Sequence, residues 1–352
     1  MILILKKFVH ILYNGDKMNK VNFEKIYYEK EVSNYTRGNF LLNKYNSLPK
    51  TEILSHNNIP ELRSYKNNDF IKLKKYLILG IRKTHKYTVN HKISNFLVPF
   101  TSSGCYAMCQ YCYLVCNYNK CSYLRVFVNK EEILNKLIKT SNKYDKTTIY
   151  EIGSNSDLLL ENIVTEDLQE NLEYFFKNSK KGILTFPTKF HYIEPLLNIY
   201  NKERLIPRIS LNPENIIKKF ELKTSNLTDR LNAINILCEA GYKPYILIAP
   251  IILTENYKND YKSLILKMRE LLTSKAKKNI TFEIIFMTYS YIHDKINTEA
   301  FPNSPKLYSK ELMTNRGIGK YHYKENFKNE AKKFITDLLH ENFSNYTIKY
   351  IV

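Results

Sequence analysis

The sequence has no tryptophan and only nine glycines in 352 residues. It also lacks any apolar run of the roughly 20 residues that a membrane helix needs. The opening segment Met1–Tyr13 is interrupted by two lysines and a histidine, and it has no small-residue cleavage site of a signal peptide. Met18 is an alternative start of the chain, so no function is assigned to residues 1–17. We therefore expect a cytoplasmic protein with no membrane partner.

Acidic residues are scarce, with 34 against 54 basic ones, and the formal net charge is +20. A basic surface favours polyanions such as DNA. Only nine of the basic residues are arginine, and the abundance of Lys, Asn, Ile and Tyr is also typical of an AT-rich genome. Charge alone is therefore a weak indication of nucleic-acid binding.

Five of the six cysteines are clustered in the sequence. Cys105, Cys109 and Cys112 have the spacing C-x3-C-x2-C, and Cys116 and Cys121 follow closely. Clustering of this kind indicates metal binding in a reducing compartment rather than disulfides. Three thiolates on one loop can hold three corners of a cubic iron–sulfur cluster and leave the fourth iron open to a ligand. The alternatives are a zinc site completed by Cys116 or Cys121, or unpaired thiols; the spacing favours the cluster.

Six apolar runs alternate with segments of helical periodicity. The predicted strands are Phe96–Phe100, Thr147–Ile152, Gly182–Phe186, Leu205–Ser210, Tyr245–Ala249 and Ile280–Ile285. The predicted helices are 130–140, 166–176, 193–200, 226–240 and 261–272. Alternation of this kind predicts a parallel sheet. We favour an α/β fold with a curled, partial (β/α)6 TIM-like barrel; an open doubly wound sheet has the same pattern.

The N-terminal and C-terminal regions do not show this alternation of strands and helices. We expect a mixed N-terminal lead-in region over 1–94, the partial barrel over 95–300, and a C-terminal hairpin and helix extension over 301–352. In the first region, Lys72, Lys74 and Lys75 are expected on a solvated face. In the last, the glycines of Gly317–Gly319 predict a turn, followed by a helix over 326–339 and a strand over 346–352. Cys238 lies on the apolar face of helix 226–240 and is expected to be a buried thiol.

Polar residues follow the strands, at the edge where a parallel barrel places its active site. They are Gly153–Asp157, Thr188–Phe190, Ser210 and Asn212, and Ala249–Pro250 closes the fifth strand. Together with the cysteine loop, these segments predict one pocket for a zwitterionic, ribose-bearing cofactor.

The segments Thr101–Leu114 and Tyr123–Asn129 resemble the spore photoproduct lyase family of radical S-adenosylmethionine (SAM) enzymes. The resemblance runs from Ile81–Thr84 to Gly317–Tyr321, about two thirds of the chain. It implies a radical SAM barrel with a [4Fe–4S] cluster on Cys105, Cys109 and Cys112, whose open iron binds SAM. It also implies repair of the UV-induced thymine dimer of spore DNA through a 5′-deoxyadenosyl radical. The implied partners are UV-damaged DNA and a reductant such as flavodoxin or ferredoxin.

The resemblance also assigns roles to single residues. Ser156, Lys189 and Ser210 match positions that contact SAM, and Tyr111 and Tyr113 match a radical relay.

Three positions depart from the family pattern. Ser154 stands where the family has its hydrogen-donor cysteine, and an alcohol O–H is too strong to replace a thiol. We expect Cys116, or a relay through Tyr111 and Tyr113, to return the hydrogen; Cys121 is the weaker candidate. Asn315–Arg316 replaces a family Arg-Tyr pair, and Phe286–Ser290 lacks an expected His-Arg pair.

The C-terminal turn is the predicted DNA contact. Arg316, Lys320 and Tyr321 flank its two glycines, and a basic, aromatic turn can enter a groove or contact phosphates. The alternative is a buried hairpin that closes the end of the barrel. For the whole chain, two further functions stay open: a radical SAM enzyme of this family with another substrate, and a non-catalytic, metal-stabilised nucleic-acid-binding protein.

Overall fold

The computed structural model describes residues 21–117 and 123–352, without the side chains of residues 116 and 117. Residues 1–20 and Cys121 lie outside this description, and of Cys116 only the backbone is described, within the short helix Leu114–Asn117.

An eight-stranded sheet forms the centre of the protein. From one edge to the other its strands are Tyr346–Ile351, Ile280–Phe286, Tyr245–Ile251, Leu205–Leu211, Gly182–Thr188, Thr148–Glu151, Phe96–Leu97 and Thr88–Val89. All neighbours pair in parallel except Thr88–Val89, which is antiparallel to Phe96–Leu97. The sheet curls into a half-barrel. Strands occur at all six predicted places, but the first spans only Phe96–Leu97 instead of Phe96–Phe100. The predicted C-terminal strand joins the same sheet.

The order of the parallel strands decides between the two predicted architectures. From Phe96–Leu97 to Tyr346–Ile351 they follow one another across the sheet in chain order. A doubly wound sheet needs a reversal of this order, so the curled partial barrel is confirmed. Pro207 is tolerated because its strand pairs with Tyr245–Ile251 only from Arg208 onward, which leaves the proline outside that ladder.

Helices connect the strands and cover the outer face. Those of the barrel and the C-terminal extension are Lys130–Ser141, Leu158–Thr165, Leu168–Asn178, Glu194–Leu197, Glu214–Phe220, Leu227–Glu239, Tyr257–Leu271, Ser274–Lys277, Tyr291–Ala300 and Glu325–Asn342. Cys238 is buried in the helix Leu227–Glu239, as predicted. None of the helices in the described ranges combines the length and apolarity needed to cross a bilayer.

The helix Leu158–Thr165 was not predicted, and it shifts the start of the next one. Asp157 caps it by accepting a hydrogen bond from the amide of Leu160 at 3.4 Å. Glu166 then adopts a left-handed conformation, with φ 59°, and ends the helix. The predicted start of the following helix at Glu166 is therefore wrong, and that helix begins at Leu168.

The N-terminal region contains a second, smaller sheet. Its strands, in spatial order, are Lys50–Ile53, Lys25–Glu29, Tyr76–Gly80, Arg125–Phe127 and Ser102–Ser103. The first four are parallel and the last is antiparallel to Arg125–Phe127. Short helices at Thr36–Lys44, Pro60–Ser64 and Phe70–Leu73 accompany it. Because its last two strands flank the cysteine loop in sequence, this sheet holds both ends of that loop.

The C-terminal turn is the tip of a hairpin between Met313–Gly317 and Lys320–Tyr323. The second of these strands also pairs with Tyr289–Ser290. Gly317 and Gly319 have φ of 97° and 64°, which glycine adopts without strain. A two-residue pairing between Met108–Cys109 and Glu221–Leu222 completes the sheets.

Candidate active site

A cavity of ≈ 350 Å³ opens at the carboxyl edge of the large sheet. Its wall is built from the cysteine loop and from the segments after successive strands. The lining includes Cys105, Cys109, Tyr111, Cys112, Tyr113, Ser154, Ser156, Asp157, Lys189, Ser210, Ala249 and Pro250. The structure therefore brings the predicted cluster, relay and cofactor residues into one space, with the side chain of Cys116 outside the description.

The three cysteines of the motif are half-buried. Burial raises the pKa of Cys105 to about 12 and that of Cys109 well above its usual value. Thiols in such surroundings become ligands only when metal charge stabilises their thiolate form. Across residues 21–117 and 123–352, no three His, Cys, Asp or Glu side chains converge to hold a single metal ion. An iron–sulfur cluster spreads its thiolates over different irons, so its ligands need not converge on one point.

Residues distant in sequence hold the backbone of the cysteine loop. The Lys74 ammonium donates to the carbonyl of Cys105 at 2.6 Å. Lys74 is buried, so its predicted place on a solvated face is wrong; it lies in the turn between helix Phe70–Leu73 and strand Tyr76–Gly80, against the loop. The Asn297 amide donates to the carbonyl of Gln110 at 2.9 Å.

His293 fixes the end of the motif. Its Nε2 lies 3.1 Å from the carbonyl of Cys112, and its Nδ1 lies 2.9 Å from the Ser290 hydroxyl. A carbonyl can only accept, so Nε2 carries the proton and Nδ1 accepts from Ser290. No local pattern in the sequence indicates this contact, which joins residues 181 positions apart.

Lys189 and Ser210, two of the predicted cofactor residues, are in direct contact. The Lys189 ammonium donates to the Ser210 hydroxyl at 2.6 Å and to the carbonyl of Ala249 at 3.0 Å. It also lies 3.4 Å from a carboxylate oxygen of Glu221. The ammonium is thus fixed at the cavity wall by three neighbouring groups.

Glu221 is the main residue that sequence reasoning missed. It is fully buried and accepts hydrogen bonds from Arg230 at 2.6 Å, from Asn212 at 2.8 Å, and from the Tyr111 hydroxyl. Burial raises its pKa, but Lys189, Arg230 and the hydrogen bonds outweigh burial and lower the pKa to about 2. The carboxylate is therefore ionised and holds Tyr111 in place. One signal was available: Arg230 lies beside Leu227 and Leu231 on the apolar face of a helix, where a charge needs a partner.

The two tyrosines beside Cys112 differ in exposure but share one feature. Tyr111 donates its phenolic hydrogen to Glu221, while half-exposed Tyr113 donates to the backbone carbonyl of Ser154. Both phenolic hydrogens are thus directed at acceptors of the chain.

Ser156 and Asp157 follow the strand Thr148–Glu151. Asp157 accepts hydrogen bonds from the Thr188 hydroxyl at 2.9 Å and the Lys189 amide at 2.9 Å. The Ser156 hydroxyl is buried in the cavity wall and has no hydrogen-bond partner among the described residues. A buried polar atom of this kind is normally completed by an ordered water or by a ligand. The cavity therefore fits a cofactor with polar groups on the Ser156 side and anionic groups beside Lys189.

An ion-pair network closes the floor of the cavity. Arg208 bonds Glu283 at 2.8 and 2.9 Å and Glu151 at 2.6 Å. Tyr350, from the C-terminal strand, donates to Glu283 at 2.6 Å. The last strand of the chain thereby helps to seal the cavity from below.

The predicted DNA-contacting hairpin is exposed at its tip. Arg316 and Lys320 are exposed, and the Ile318 side chain between them is 93% exposed. Tyr321 packs against Tyr308, with ring centroids 4.7 Å apart. The alternative of a buried hairpin does not hold for the tip.

A parallel half-barrel with a three-cysteine loop and a cofactor-sized cavity at its carboxyl edge defines a class, the radical SAM enzymes. The family model for spore photoproduct lyase matches residues 22–352. The chain therefore belongs to the spore photoproduct lyase family.

Individual relatives agree with this assignment. The chain is 29% identical over 338 residues to the spore photoproduct lyase of Bacillus subtilis strain 168, covering 92% of this chain and 97% of the relative. It is 28% identical over 340 residues to that of Clostridium acetobutylicum, covering 94% and 99%. A solved structure of a doubly substituted spore photoproduct lyase, with bound AdoMet and dinucleoside spore photoproduct, superposes with a TM-score of 0.86. It is 25% identical and covers 94% of this chain and 99% of the solved one.

Proposed function

We propose that this protein is a radical SAM lyase that reverses spore photoproduct in UV-damaged DNA. The observation that carries the proposal is the single cavity that joins the cysteine loop, the partnerless Ser156 hydroxyl and the Lys189–Ser210 pair. It occurs in a chain whose family acts on this lesion.

The cofactors are assigned to residues as follows. Cys105, Cys109 and Cys112, which all line the cavity, would hold the [4Fe–4S] cluster there. Lys189, an ammonium fixed beside Ser210, pairs with the carboxylate of SAM. Ser156 supplies a hydroxyl to a polar group of the same molecule. When bound, the cluster and SAM supply a 5′-deoxyadenosyl radical that takes a hydrogen atom from the thymine dimer.

The chain contributes position and exclusion of water. The Arg208 network closes the floor, and the helix Tyr291–Ala300 fixes the carbonyls of Gln110 and Cys112 on either side of Tyr111. Glu221 holds the Tyr111 hydroxyl in place by accepting its hydrogen bond.

The return of a hydrogen atom to the product is where this chain departs from its family. Ser154 lines the cavity at the position of the family thiol, and its hydroxyl is a poor hydrogen-atom donor. We propose Cys116, or the relay through Tyr111 and Tyr113, as the donor. The same serine favours a second candidate function, a radical SAM reaction of this family on another lesion or substrate.

DNA is held in part by the hairpin. Exposed Arg316 and Lys320 suit phosphates, Tyr321 suits an unstacked base, and the apolar Ile318 at the tip suits insertion between base steps. A flavodoxin or ferredoxin supplies the electron. Because the cysteines of the loop must stay reduced to bind iron, we place the enzyme in the cytoplasm.

The test is anaerobic reconstitution with iron and sulfide, followed by SAM, a reductant and dinucleoside spore photoproduct. The proposal expects both 5′-deoxyadenosine and repaired thymine. Release of 5′-deoxyadenosine without thymine repair supports the second candidate. Absence of both products, in a protein that has taken up iron and sulfide, contradicts both enzyme functions.

A further inference from the structure

A second cavity, of ≈ 200 Å³, opens at the carboxyl edge of the small sheet. Strand Lys25–Glu29 lies between Lys50–Ile53, the next strand in the chain, and Tyr76–Gly80, the one after that. After Lys25–Glu29 the chain moves toward one edge of the sheet, and after Tyr76–Gly80 it moves toward the other edge. In open parallel sheets this reversal creates a crevice beyond the carboxyl ends of the strands, where ligands bind.

The crevice has a surplus of positive charge. Arg82, Lys83 and Arg125 line it, and Glu29 is the carboxylate among its lining residues. Glu29 is engaged by its own frame: one oxygen accepts from the amide of His56 at 2.8 Å and lies 2.9 Å from the His56 ring, and the other accepts from the amide of Ile81 at 2.8 Å. Both carboxylate oxygens are thus committed to neighbours other than the three cations.

The two arginines are held rigidly at the wall. The Nε of Arg82 donates to the carbonyl of Phe100 at 3.0 Å, and its guanidinium lies 3.9 Å from the centre of the Phe127 ring. Arg125 is 3% exposed and reaches Asn57 at 3.4 Å. A planar guanidinium fixed beside an open space is pre-organised for the oxygens of a phosphate group. Lys83, by contrast, is exposed and adds a mobile charge.

The crevice lies close to the candidate active site. Ser103 lines the crevice and Cys105 lines the larger cavity, so the backbone joining the two walls spans at most about 7 Å. The crevice and the larger cavity are therefore neighbours along the backbone, on either side of Gly104.

We propose that this crevice binds a phosphodiester group of the substrate strand beside the lesion, an inference that rests on the proposed function. Contacts to phosphate fix the register of a strand without reading its sequence. The crevice would thus place the lesion opposite the cysteine loop.

The test compares Arg82→Gln/Lys83→Gln and the single variant Lys83→Gln with the parent, using reconstituted full-length protein and a lesion-containing duplex oligonucleotide. Arg82 also bonds a backbone carbonyl, so the double variant can misfold. The single variant changes only an exposed side chain, and it tests the inference in that case. Lys243→Gln is the matched control: this exposed lysine precedes strand Tyr245–Ile251 and lies at the opposite edge of the barrel. Duplex affinity is measured between about 50 and 200 mM salt.

We expect weaker binding in both variants, with the larger loss of affinity in the double variant. The slope of log K against log salt should become shallower by about 1 at most, because the crevice holds one phosphate. The control keeps the parent slope. Unchanged affinity and slope in a folded Lys83→Gln variant overturn the inference. The inference is also overturned if the variants lose the binding of inorganic phosphate but bind the duplex as the parent does. The crevice would then be a site for free phosphate.

Failure of the proposed function shows elsewhere. If the proposed function is wrong, the reconstituted parent protein leaves the thymines of dinucleoside spore photoproduct joined. The salt dependence of duplex binding is measured without any reaction, so it tests the crevice separately.

Discussion

The cysteine loop and the hairpin tip both carry residues assigned to function, but they are held in opposite ways. The loop is bonded along its backbone by Lys74, Asn297 and His293, which come from two distant parts of the chain. The hairpin tip ends in Ile318, which is 93% exposed. A redox cluster needs ligands fixed to within a fraction of an ångström. A surface that meets DNA gains from exposed, adaptable side chains. The predictions below test this contrast.

The largest effect is expected at the loop itself. Cys105→Ala, Cys109→Ala and Cys112→Ala should each abolish the brown chromophore and SAM cleavage, because each removes one of three thiolate ligands. Absorption spectra and 5′-deoxyadenosine release measure this. Cys238→Ala, in a helix away from the loop, should keep both. A protein that binds stoichiometric zinc and takes up no iron would rule out the cluster.

The support of the loop is tested next. Arg230→Ala leaves the fully buried Glu221 carboxylate without the partner of its buried ion pair, and breaking such a pair costs about 3–5 kcal/mol. Denaturant unfolding measures the loss. Arg269→Ala, at an exposed arginine that bonds Asn342, is the control and should stay within about 0.5 kcal/mol of the parent. A loss below about 1 kcal/mol at Arg230 would mean that the network contributes little to the fold.

The hairpin should behave differently. Changing both Arg316 and Lys320 to Ala should leave unfolding unchanged, since both side chains are exposed, yet weaken DNA binding and flatten its salt dependence. Binding is measured over a salt series, with Lys262→Ala, an exposed lysine on an outer helix, as the control. If the double variant keeps the parent affinity and salt slope, the hairpin is not part of the DNA interface.

The smallest effect concerns products rather than rate. Cys116→Ala should divert the product radical into trapped by-products, because the hydrogen is returned after SAM has been cleaved. Chromatography of the thymine products measures this, with Cys238→Ala as the control. Clean repair at the parent rate would exclude Cys116 as the donor. A marked improvement by Ser154→Cys would favour the candidate function on another substrate.

The strands, most of the helices and the position of the cavity could be predicted because they depend on local periodicity. The apolar runs at Gly182–Thr188 and Tyr245–Ile251 are strands in the structure, and polar Lys189 follows the first of them. The helix Leu158–Thr165 was missed because its three leucines show no helical alternation with polar residues. Its start depends on the Asp157 cap, and its end depends on the left-handed Glu166.

Two features follow from the sequence alone: the C-x3-C-x2-C spacing and the alternation of strands with helices. The motif and each strand or helix pattern depend only on residues that are near one another in the chain. The tertiary structure alone decided which residues surround the loop. Tyr111 meets Glu221 across 110 positions, Cys112 meets His293 across 181, and Lys74 turns inward to Cys105. The partners in such pairs cannot be predicted from the local sequence, because they meet only when distant elements of the chain pack together.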